Sequence, residues 1–541
     1  MKLSSRFHRL SSLTLMTLML AAMMAACGDS TATTAPAATT APAATTAASA
    51  KTAAAATTAA ATSATTVAAT TAAATTPGAT TAGATTAAAT TAGATTAAAA
   101  GPAATATPLP TVPQAAGSIK VTFWYGLGAP LNGVVQQVVN KYNSSQTKYY
   151  IEALQQPDYD ATILKLNSSL AGGSLPNVVQ IYDIGTQRMI DTKKIVPVQD
   201  LIDKEKLDIV ADIEPAVARY YTVNNKLYSM PFNSSAPVMY FDKNAFKEVG
   251  LDTEKKIWTY TEILDAAKKL TKKDASGKIT RSGVDFTLYS WIFEQELATQ
   301  GATFVDPANG RAGRANKLTF NNDAGVNWLN FLKKLQDDGI GRNLGRDSGT
   351  TNGTTRDANF VKGEAAITFN SIAGLRNYLN SAAKEGGKVD VGVAYLPRPE
   401  GAKGGVVIGG ASLWITNTGT PEQQAGSWDF LKFTAQPEIQ AFWSSNTGYY
   451  PIRKAAYEVQ EMKDTLAKYP QFQVAVDQLR ATEPSVATQG AVFGTFVSAR
   501  QNIEAAMEQW MTGKTTSAKA ALDDAARKSN ESLDEYNSTV K

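Results

Sequence analysis

The amino-acid sequence predicts an α/β protein of two lobes, each a mainly parallel sheet flanked by helices, with a helical C-terminal portion. Strand and helix patterns alternate from about residue 117, which is the order that builds a parallel sheet with helices on both faces. The roughly 425 residues of this region are too many for one compact core. The same order of elements returns more than once, which predicts repeated crossovers between the lobes.

Residues 1–26 have the pattern of a secretory signal peptide. Basic residues near the N-terminus precede an apolar run, Leu10–Met24, and then small residues. The run is short for a membrane span, which makes an anchored helix the weaker alternative. The residues that end at Cys27 resemble the bacterial lipobox, and this implies an acylated Cys27. We therefore expect an extracytoplasmic protein, anchored by lipid to the outer face of the cell membrane or periplasmic.

Residues 27–116 consist mainly of Ala, Thr, Gly and Pro, with repeated phrases and almost no charge. Such a composition offers little apolar surface to offset the entropy of ordering, so the sequence predicts a disordered tether. A flexible chain of this length has an end-to-end distance on the order of 50 Å.

Composition excludes several classes of chemistry. His8 is the only histidine and Cys27 the only cysteine, so neither a His/Cys zinc site nor a Ser-His-Asp or Cys-His arrangement can be assembled after cleavage of the signal. No metal or cofactor is predicted. The whole chain carries 51 basic and 47 acidic residues, but residues 117–541 carry 47 and 46. This near-neutral balance gives no support for nucleic-acid binding.

The first run of elements contains three strands and two helices. Ligands in such sheets bind beyond the carboxyl ends of the strands. A short turn, Gly126–Gly128, invites a dinucleotide interpretation but lacks the third glycine and the acidic partner. The predicted elements are strands Ile119–Tyr125, Tyr149–Leu154 and Asn177–Asp183, and helices Leu131–Tyr142 and Tyr159–Leu170.

The segment Pro231–Lys243 predicts an extended crossover, because two prolines bracket a polar corner and an apolar run follows. Uncharged donors at that corner suit an anionic or polyhydroxylated ligand, and a plain β-turn before a strand is the alternative. We predict lobe I over 117–231 and 371–433, and lobe II over 232–370 and 434–541. Further predicted elements are a capping box at Thr259 and Glu262, amphipathic helices Trp291–Gly301 and Trp328–Leu335, strand Phe360–Phe369, an apolar run Val406–Ile415, a helix that Thr420 opens as a cap together with Gln423, and helices Ser498–Met511 and Thr516–Asn537.

Several long phrases in the same order carry a family resemblance. They include MPFNSSAPVMYFDKNAFKEVGLD, VVIGGASLWI, SSNTGYYPIRKAAY and KAALDDAARKSNESLDEY. The chain resembles extracellular solute-binding proteins of ABC importers, in the carbohydrate-binding branch that includes maltose-binding proteins. Within it the motifs are most similar to those of glycerol-3-phosphate binders. The resemblance implies a type II periplasmic-binding-protein fold, no enzymatic activity, and the transmembrane permease subunits as partners.

The resemblance also implies a set of ligand contacts. Tyr159 and Asp183 would meet glycerol hydroxyls. Arginine can bind phosphate with two parallel hydrogen bonds, and neutral donors complete such a site without excess positive charge. The implied phosphate contacts are Ser235, Ser371, Gly410, Tyr449 and Arg500.

Two positions differ from the family pattern. Asp183 stands where relatives carry Glu, and Leu288 stands where a Trp usually packs over the glycerol moiety. Loss of that ring opens space, so we hypothesise that a glycerophosphodiester such as glycerophosphocholine is accepted at least as well as glycerol-3-phosphate. Trp124, Tyr125 and Trp291 are alternative stacking surfaces.

Each candidate residue also has a structural interpretation. Arg500 would then be an exposed helix residue, Tyr449 an aromatic packed beside a turn, Asp183 a helix N-cap, and Ser235 and Ser371 turn residues. For the function, a neutral oligosaccharide such as a maltodextrin is the main alternative. A glycosidase with an Asp/Glu pair and a purely structural surface protein are the others.

Overall fold

The computed structural model describes residues 111–347 and 353–540. The predicted signal peptide, Cys27 and most of the predicted tether lie outside this part of the chain. The strands are β1 (Ile119–Tyr125), β2 (Tyr149–Gln155), β3 (Val178–Tyr182), β4 (Ile195–Val196), β5 (Thr222–Val223), β6 (Lys226–Leu227), β7 (Met230–Ser235), β8 (Pro237–Asp242), β9 (Lys272–Lys273), β10 (Ile279–Leu288), β11 (Val305–Asp306), β12 (Lys317–Leu318), β13 (Gly341–Arg346), β14 (Ala365–Ser371), β15 (Val391–Tyr395) and β16 (Gly409–Thr416).

The α-helices of the described residues surround these strands. They are α1 (Leu131–Ser145), α2 (Tyr159–Gly172), α3 (Thr186–Asp191), α4 (Val198–Glu205), α5 (Pro215–Tyr221), α6 (Lys243–Glu248), α7 (Tyr260–Leu270), α8 (Ser290–Thr299), α9 (Asp323–Asp337), α10 (Gly353–Val361), α11 (Leu375–Lys384), α12 (Pro421–Thr434), α13 (Pro437–Asn446), α14 (Gln460–Lys468), α15 (Gln471–Arg480), α16 (Val486–Gln489), α17 (Phe496–Met511) and α18 (Ala518–Thr539). None of the described helices has both the length and the apolar character of a membrane span.

The first sheet has the strand order β2-β1-β3-β16-β4, and β7 also pairs with β16. β1 is parallel to β2 and β3, whereas β16 is antiparallel to its neighbours. The second sheet has the order β13-β10-β14-β8-β15, in which β8 is antiparallel to β14 and β15, and β9 also pairs antiparallel with β10. Two mainly parallel sheets with flanking helices confirm the predicted fold class.

The predicted crossover is confirmed, but its polar corner is a strand. β7 pairs with the first sheet and β8 with the second, and only Ala236 stands between them. All residues of β7 and β8 are buried. Asn233 and Ser234 lie opposite Ala411 and Gly410 in the ladder, so the turn interpretation of this segment is wrong.

Strand pairing differs from the predicted lobe boundaries. β15 belongs to the second sheet although 371–433 was predicted in lobe I, and residues 232–235 belong to the first sheet although they were predicted in lobe II. α13 packs against α1, which belongs to the first lobe. The chain therefore returns from the first lobe to the second beyond residue 434, later than predicted. Pairing between distant segments decides these boundaries, and local patterns do not contain that information.

Predictions that depend on residues close together in the sequence are confirmed at two helix starts. Both predicted caps form, with Thr259 and Glu262 at the start of α7 and Thr420 and Gln423 at the start of α12. The predicted strand Phe360–Phe369 is partly wrong, because α10 continues to Val361 and β14 begins at Ala365. The predicted amphipathic character of α8 is also wrong. All ten of its residues are buried, since α9, α16 and α17 pack around it.

The burial of α8 makes stability depend on pH. The Glu296 carboxylate accepts hydrogen bonds from the Tyr260 hydroxyl at 2.6 Å and from Thr299 at 3.2 Å. Burial raises the pKa of Glu296 from 4.5 to about 8. The folded protein therefore holds a proton that the unfolded chain has lost, and the stability from this group, full below about pH 4.5, is lost as the pH rises through about 8.

We expect the free energy of unfolding to fall by on the order of 3 kcal/mol between about pH 5 and pH 9 on account of Glu296. Denaturant titrations of the wild type and Glu296→Gln would check this, because the variant should show the smaller fall. Glu531→Gln, on the exposed face of α18, is the control. Equal pH dependence in the wild type and Glu296→Gln would contradict the assignment.

Candidate ligand-binding site

A cavity of about 390 Å³ lies where strand ends of the two sheets meet. β3, β7, β10, β13 and β14 end at or next to its wall, and β16, which runs the opposite way, begins there. This is the edge at which parallel α/β sheets bind ligands. The lining residues are Asp158, Tyr159, Asp160, Tyr182, Asp183, Ser235, Tyr289, Ser290, Trp291, Arg346, Asp347, Ser371, Ala373, Gly410, Tyr449, Val497, Arg500, Gln501 and Glu504.

Seven of the eight predicted contact residues line this cavity, although they are far apart in sequence. The structure brings them together from strand ends of both sheets, from α2 and α17, and from the segment after α13. Their contact with a ligand stays a prediction. These seven residues are Tyr159, Asp183, Ser235, Ser371, Gly410, Tyr449 and Arg500.

Leu288 is not among the residues that line the cavity. It ends β10, is 1% exposed, and its carbonyl accepts the backbone N–H of Asp347. The next residues supply rings instead, because Tyr289 and Trp291 both line the cavity and their centroids are 5.7 Å apart.

Of the three rings predicted as alternative stacking surfaces, the structure places Trp291 alone at the cavity wall. Trp124 is covered by the Lys165 ammonium, 4.1 Å from its ring centroid. The Tyr125 hydroxyl accepts a hydrogen bond from Gln136.

A pair of stacked tyrosines forms another part of the wall. Asp158 caps α2 by accepting the N–H of Ala161 at 2.7 Å, which sets Tyr159 at the first position of the helix. The rings of Tyr159 and Tyr182 stack with centroids 5.1 Å apart. Asn233 of β7 donates to the Tyr159 hydroxyl at 2.9 Å, so the first sheet holds this ring in place.

The uncharged donors come from strand ends. Gly410 has a φ of +104°, and a Cβ there would lie 1.8 Å from the Asn233 carbonyl oxygen, so the close approach of β7 and β16 requires glycine. Ser371 ends β14 and is not a turn residue; its hydroxyl accepts the N–H of Ala373 and so caps a short 3-10 helix, Ile372–Gly374, while the residue also lines the cavity. Tyr449 stacks on Trp443, with centroids 5.6 Å apart.

Arg500 is buried, so its interpretation as an exposed helix residue is wrong. It is 8% exposed, and one guanidinium nitrogen, Nη2, lies 2.5 Å from Glu294 and 3.6 Å from Asp183. The guanidinium lies 5.1 Å from the Phe496 ring centroid. Its Nε is buried without a hydrogen-bond partner among the described residues. The protein therefore leaves part of the donor capacity of this arginine unused.

Carboxyl groups around the cavity have pKa values displaced toward neutrality. Burial raises the pKa of Asp183 to about 7, against the opposing effect of Arg500. Burial also raises the pKa of Glu504 to about 7 and raises the pKa of Glu294. Asp183 and Glu504 therefore titrate near pH 7, where small changes in local charge alter their protonation.

Sequence reasoning missed the acidic character of the site and its second arginine. Arg346 lines the cavity and pairs with Glu508 at 2.5 Å, and Asp347 pairs with buried Arg356 at 2.7 Å. β13 has few apolar residues, so no strand pattern pointed to its end. The sequence could have indicated Glu504 as a site residue, because it stands one helical turn after Arg500 and therefore on the same face of the helix.

The sequence profile of the bacterial extracellular solute-binding protein family matches residues 137–474, more than half of the chain. The protein is a member of this family. This solute-binding protein is 30% identical over 425 residues to the sn-glycerol-3-phosphate-binding periplasmic protein UgpB of Yersinia pseudotuberculosis, covering 77% of this chain and 92% of that protein. UgpB of Escherichia coli (strain 536) is 30% identical over 445 residues, with 81% and 98% coverage.

Solved structures share the fold of this solute-binding protein. UgpB from Mycobacterium tuberculosis in complex with glycerophosphocholine superposes with a TM-score of 0.64 at 22% identity, covering 78% of this chain and 100% of that one. The GacH receptor of Streptomyces glaucescens, solved unliganded and with acarbose, gives 0.62 at 20% identity, with 76% and 99% coverage. These likenesses confirm the two-lobed binding-protein fold.

Proposed function

We propose that this protein captures a glycerophosphodiester or glycerol-3-phosphate in the interlobe cavity and delivers it to the permease of an ABC importer. The observation that carries the proposal is the buried guanidinium of Arg500 among uncharged donors at the strand ends. The relatives at 30% identity are glycerol-3-phosphate binders, which supports the same ligand class. The family and the relatives are solute-binding proteins, so we propose binding without turnover.

The charges of the cavity favour a diester over a monoester. Five carboxyl groups line it against two arginines, and Asp183 shares the Arg500 guanidinium. A monoester near neutral pH brings up to two negative charges, a diester only one. The rings of Tyr159, Tyr182 and Trp291 offer faces to a quaternary ammonium such as that of glycerophosphocholine. The cavity volume is near the lower end of small-molecule sites, which also suits such a ligand.

Titration calorimetry of the purified protein would test this. We expect a Kd in the micromolar range or below for glycerophosphocholine, because a buried guanidinium pairs with its phosphate. Glycerol-3-phosphate should bind equally or more weakly, and maltotriose more weakly than either. Strict preference for the monoester would contradict the diester assignment, and preference for maltotriose would contradict the ligand class.

A neutral oligosaccharide is the second candidate, and the stacked tyrosines favour it. Tyr159, Tyr182 and Trp291 present ring faces of the kind that pack on sugars. The structural neighbours include the acarbose-binding GacH receptor. Under this alternative Arg500 would be dispensable, since a neutral sugar gives a guanidinium no charge to pair with.

We further propose attachment to the membrane through acylated Cys27, with residues 28–116 as a tether to the folded part. Closure of the two lobes about the β7–β8 crossover would present both to the permease. Metabolic labelling with a fatty acid, compared between the wild type and Cys27→Ala, tests the anchor. Equal labelling would contradict it.

A further inference from the structure

Arg500 lies between two carboxyl groups, one at the cavity wall and one behind it. Asp183 lines the cavity at 3.6 Å from Nη2 of Arg500. Glu294 does not line the cavity and lies 2.5 Å from the same nitrogen. All three side chains are buried. One positive charge therefore faces two groups that can each be negative, before any ligand is present.

The other charged groups around this cluster already have hydrogen-bond or ion-pair partners within the protein. Arg311 faces Glu294, but its guanidinium donates to four backbone carbonyls. Glu504 accepts from both the backbone and the hydroxyl of Ser290. Asp347 is paired with Arg356, as described above. The tyrosines that face the cluster are Tyr182, Tyr220, Tyr221, Tyr289 and Tyr449.

An anion that reaches Arg500 from the cavity adds a further negative charge beside Asp183. Negative charges that share one cation in a buried site raise each other's pKa values, so one of the groups binds a proton. A phosphodiester keeps its charge throughout the neutral range, which leaves the carboxyl groups to take that proton. We propose that binding of a phosphate-bearing ligand at Arg500 is accompanied by uptake of a proton at the Asp183–Glu294 pair.

This proposal rests on the proposed function, because it requires an anionic ligand. The direction of the pH effect follows from the free protein, in which burial raises the pKa of Asp183 to about 7. Well below that pH the proton is already present, and affinity is insensitive to pH. Above it the proton must come from solvent, so affinity falls as the pH rises.

Calorimetry with glycerophosphocholine measures the proton directly. At about pH 8, in two buffers with different ionisation enthalpies, the binding heats should differ by the uptake of roughly one proton per ligand. The Kd should rise by up to about tenfold per pH unit between about pH 8 and pH 9. Glycerophosphocholine does not titrate in this range, so the proton belongs to the protein.

Two variants on α8 locate the proton. Glu294→Gln removes the carboxyl group behind Arg500 and should reduce the uptake to near zero. Glu296→Gln is the matched control, because it stands two residues away, is equally buried and does not line the cavity. It should leave the proton count unchanged.

The outcomes separate this proposal from the proposed function. Binding of glycerophosphocholine to the wild type with no proton exchange overturns the linkage alone, whatever the variants do. Equal loss of the proton in Glu294→Gln and Glu296→Gln overturns its location. Absence of binding overturns the proposed function and the linkage with it.

Discussion

Replacing Arg500 with Met is expected to weaken binding of glycerophosphocholine by about a hundredfold or more, since charge-assisted hydrogen bonds to the phosphate are lost in a buried site. Met keeps the length and helix preference of the side chain, so α17 should persist. Calorimetry of the variant against the wild type measures the loss.

The control for this prediction is Arg527→Met on α18. Arg527 pairs with Asp524 and Glu531 at the surface, and its side chain is 57% exposed. We expect wild-type affinity, because surface ion pairs contribute little and this one lies outside the cavity. A folded Arg500→Met variant with wild-type affinity would contradict the phosphate assignment and favour a neutral sugar.

Arg500→Met should also change how stability depends on pH. Asp183 and Glu294 would then be buried without their cation, so both are expected to bind protons in the folded state. Stability is therefore expected to decrease more steeply above about pH 7 than in the wild type. Circular dichroism at several pH values establishes that the loss of binding is not a loss of fold.

Replacing Gly410 with Ala is expected to abolish binding and to lower the free energy of unfolding by on the order of 3 kcal/mol. The added Cβ would lie 1.8 Å from the Asn233 carbonyl oxygen, and both partners are backbone in a buried ladder. β7 and β16 would have to separate at the cavity wall. Denaturant titration and calorimetry measure the two effects.

Gly401→Ala separates this collision from backbone strain. Gly401 also has a positive φ, +74°, but a Cβ there has no atom within 4 Å. The control should lose only about 1 kcal/mol, the cost of the left-handed conformation, and should bind normally. Equal losses in the two variants would show that strain alone explains the effect at Gly410.

Local patterns predicted the first five elements of the first lobe. The register of apolar residues located β1, α1, β2, α2 and β3 to within a few residues, because each pattern depends on neighbours one or a few positions away. The capping boxes at Thr259 and Thr420 were found for the same reason. Seven site positions followed from motifs shared with a family, which local patterns could not have supplied.

By itself, the sequence determined that this chain lacks thiol and imidazole chemistry beyond Cys27 and His8, and that it folds as alternating strands and helices in two lobes. Only the tertiary structure decided which sheet each crossing strand joins, that α8 is buried on every side, and that Arg500 is held between Asp183 and Glu294. Helix and strand periodicity arises from contacts between near neighbours. Strand partners, burial and the charges that surround a group depend on residues hundreds of positions apart, and no local pattern records them.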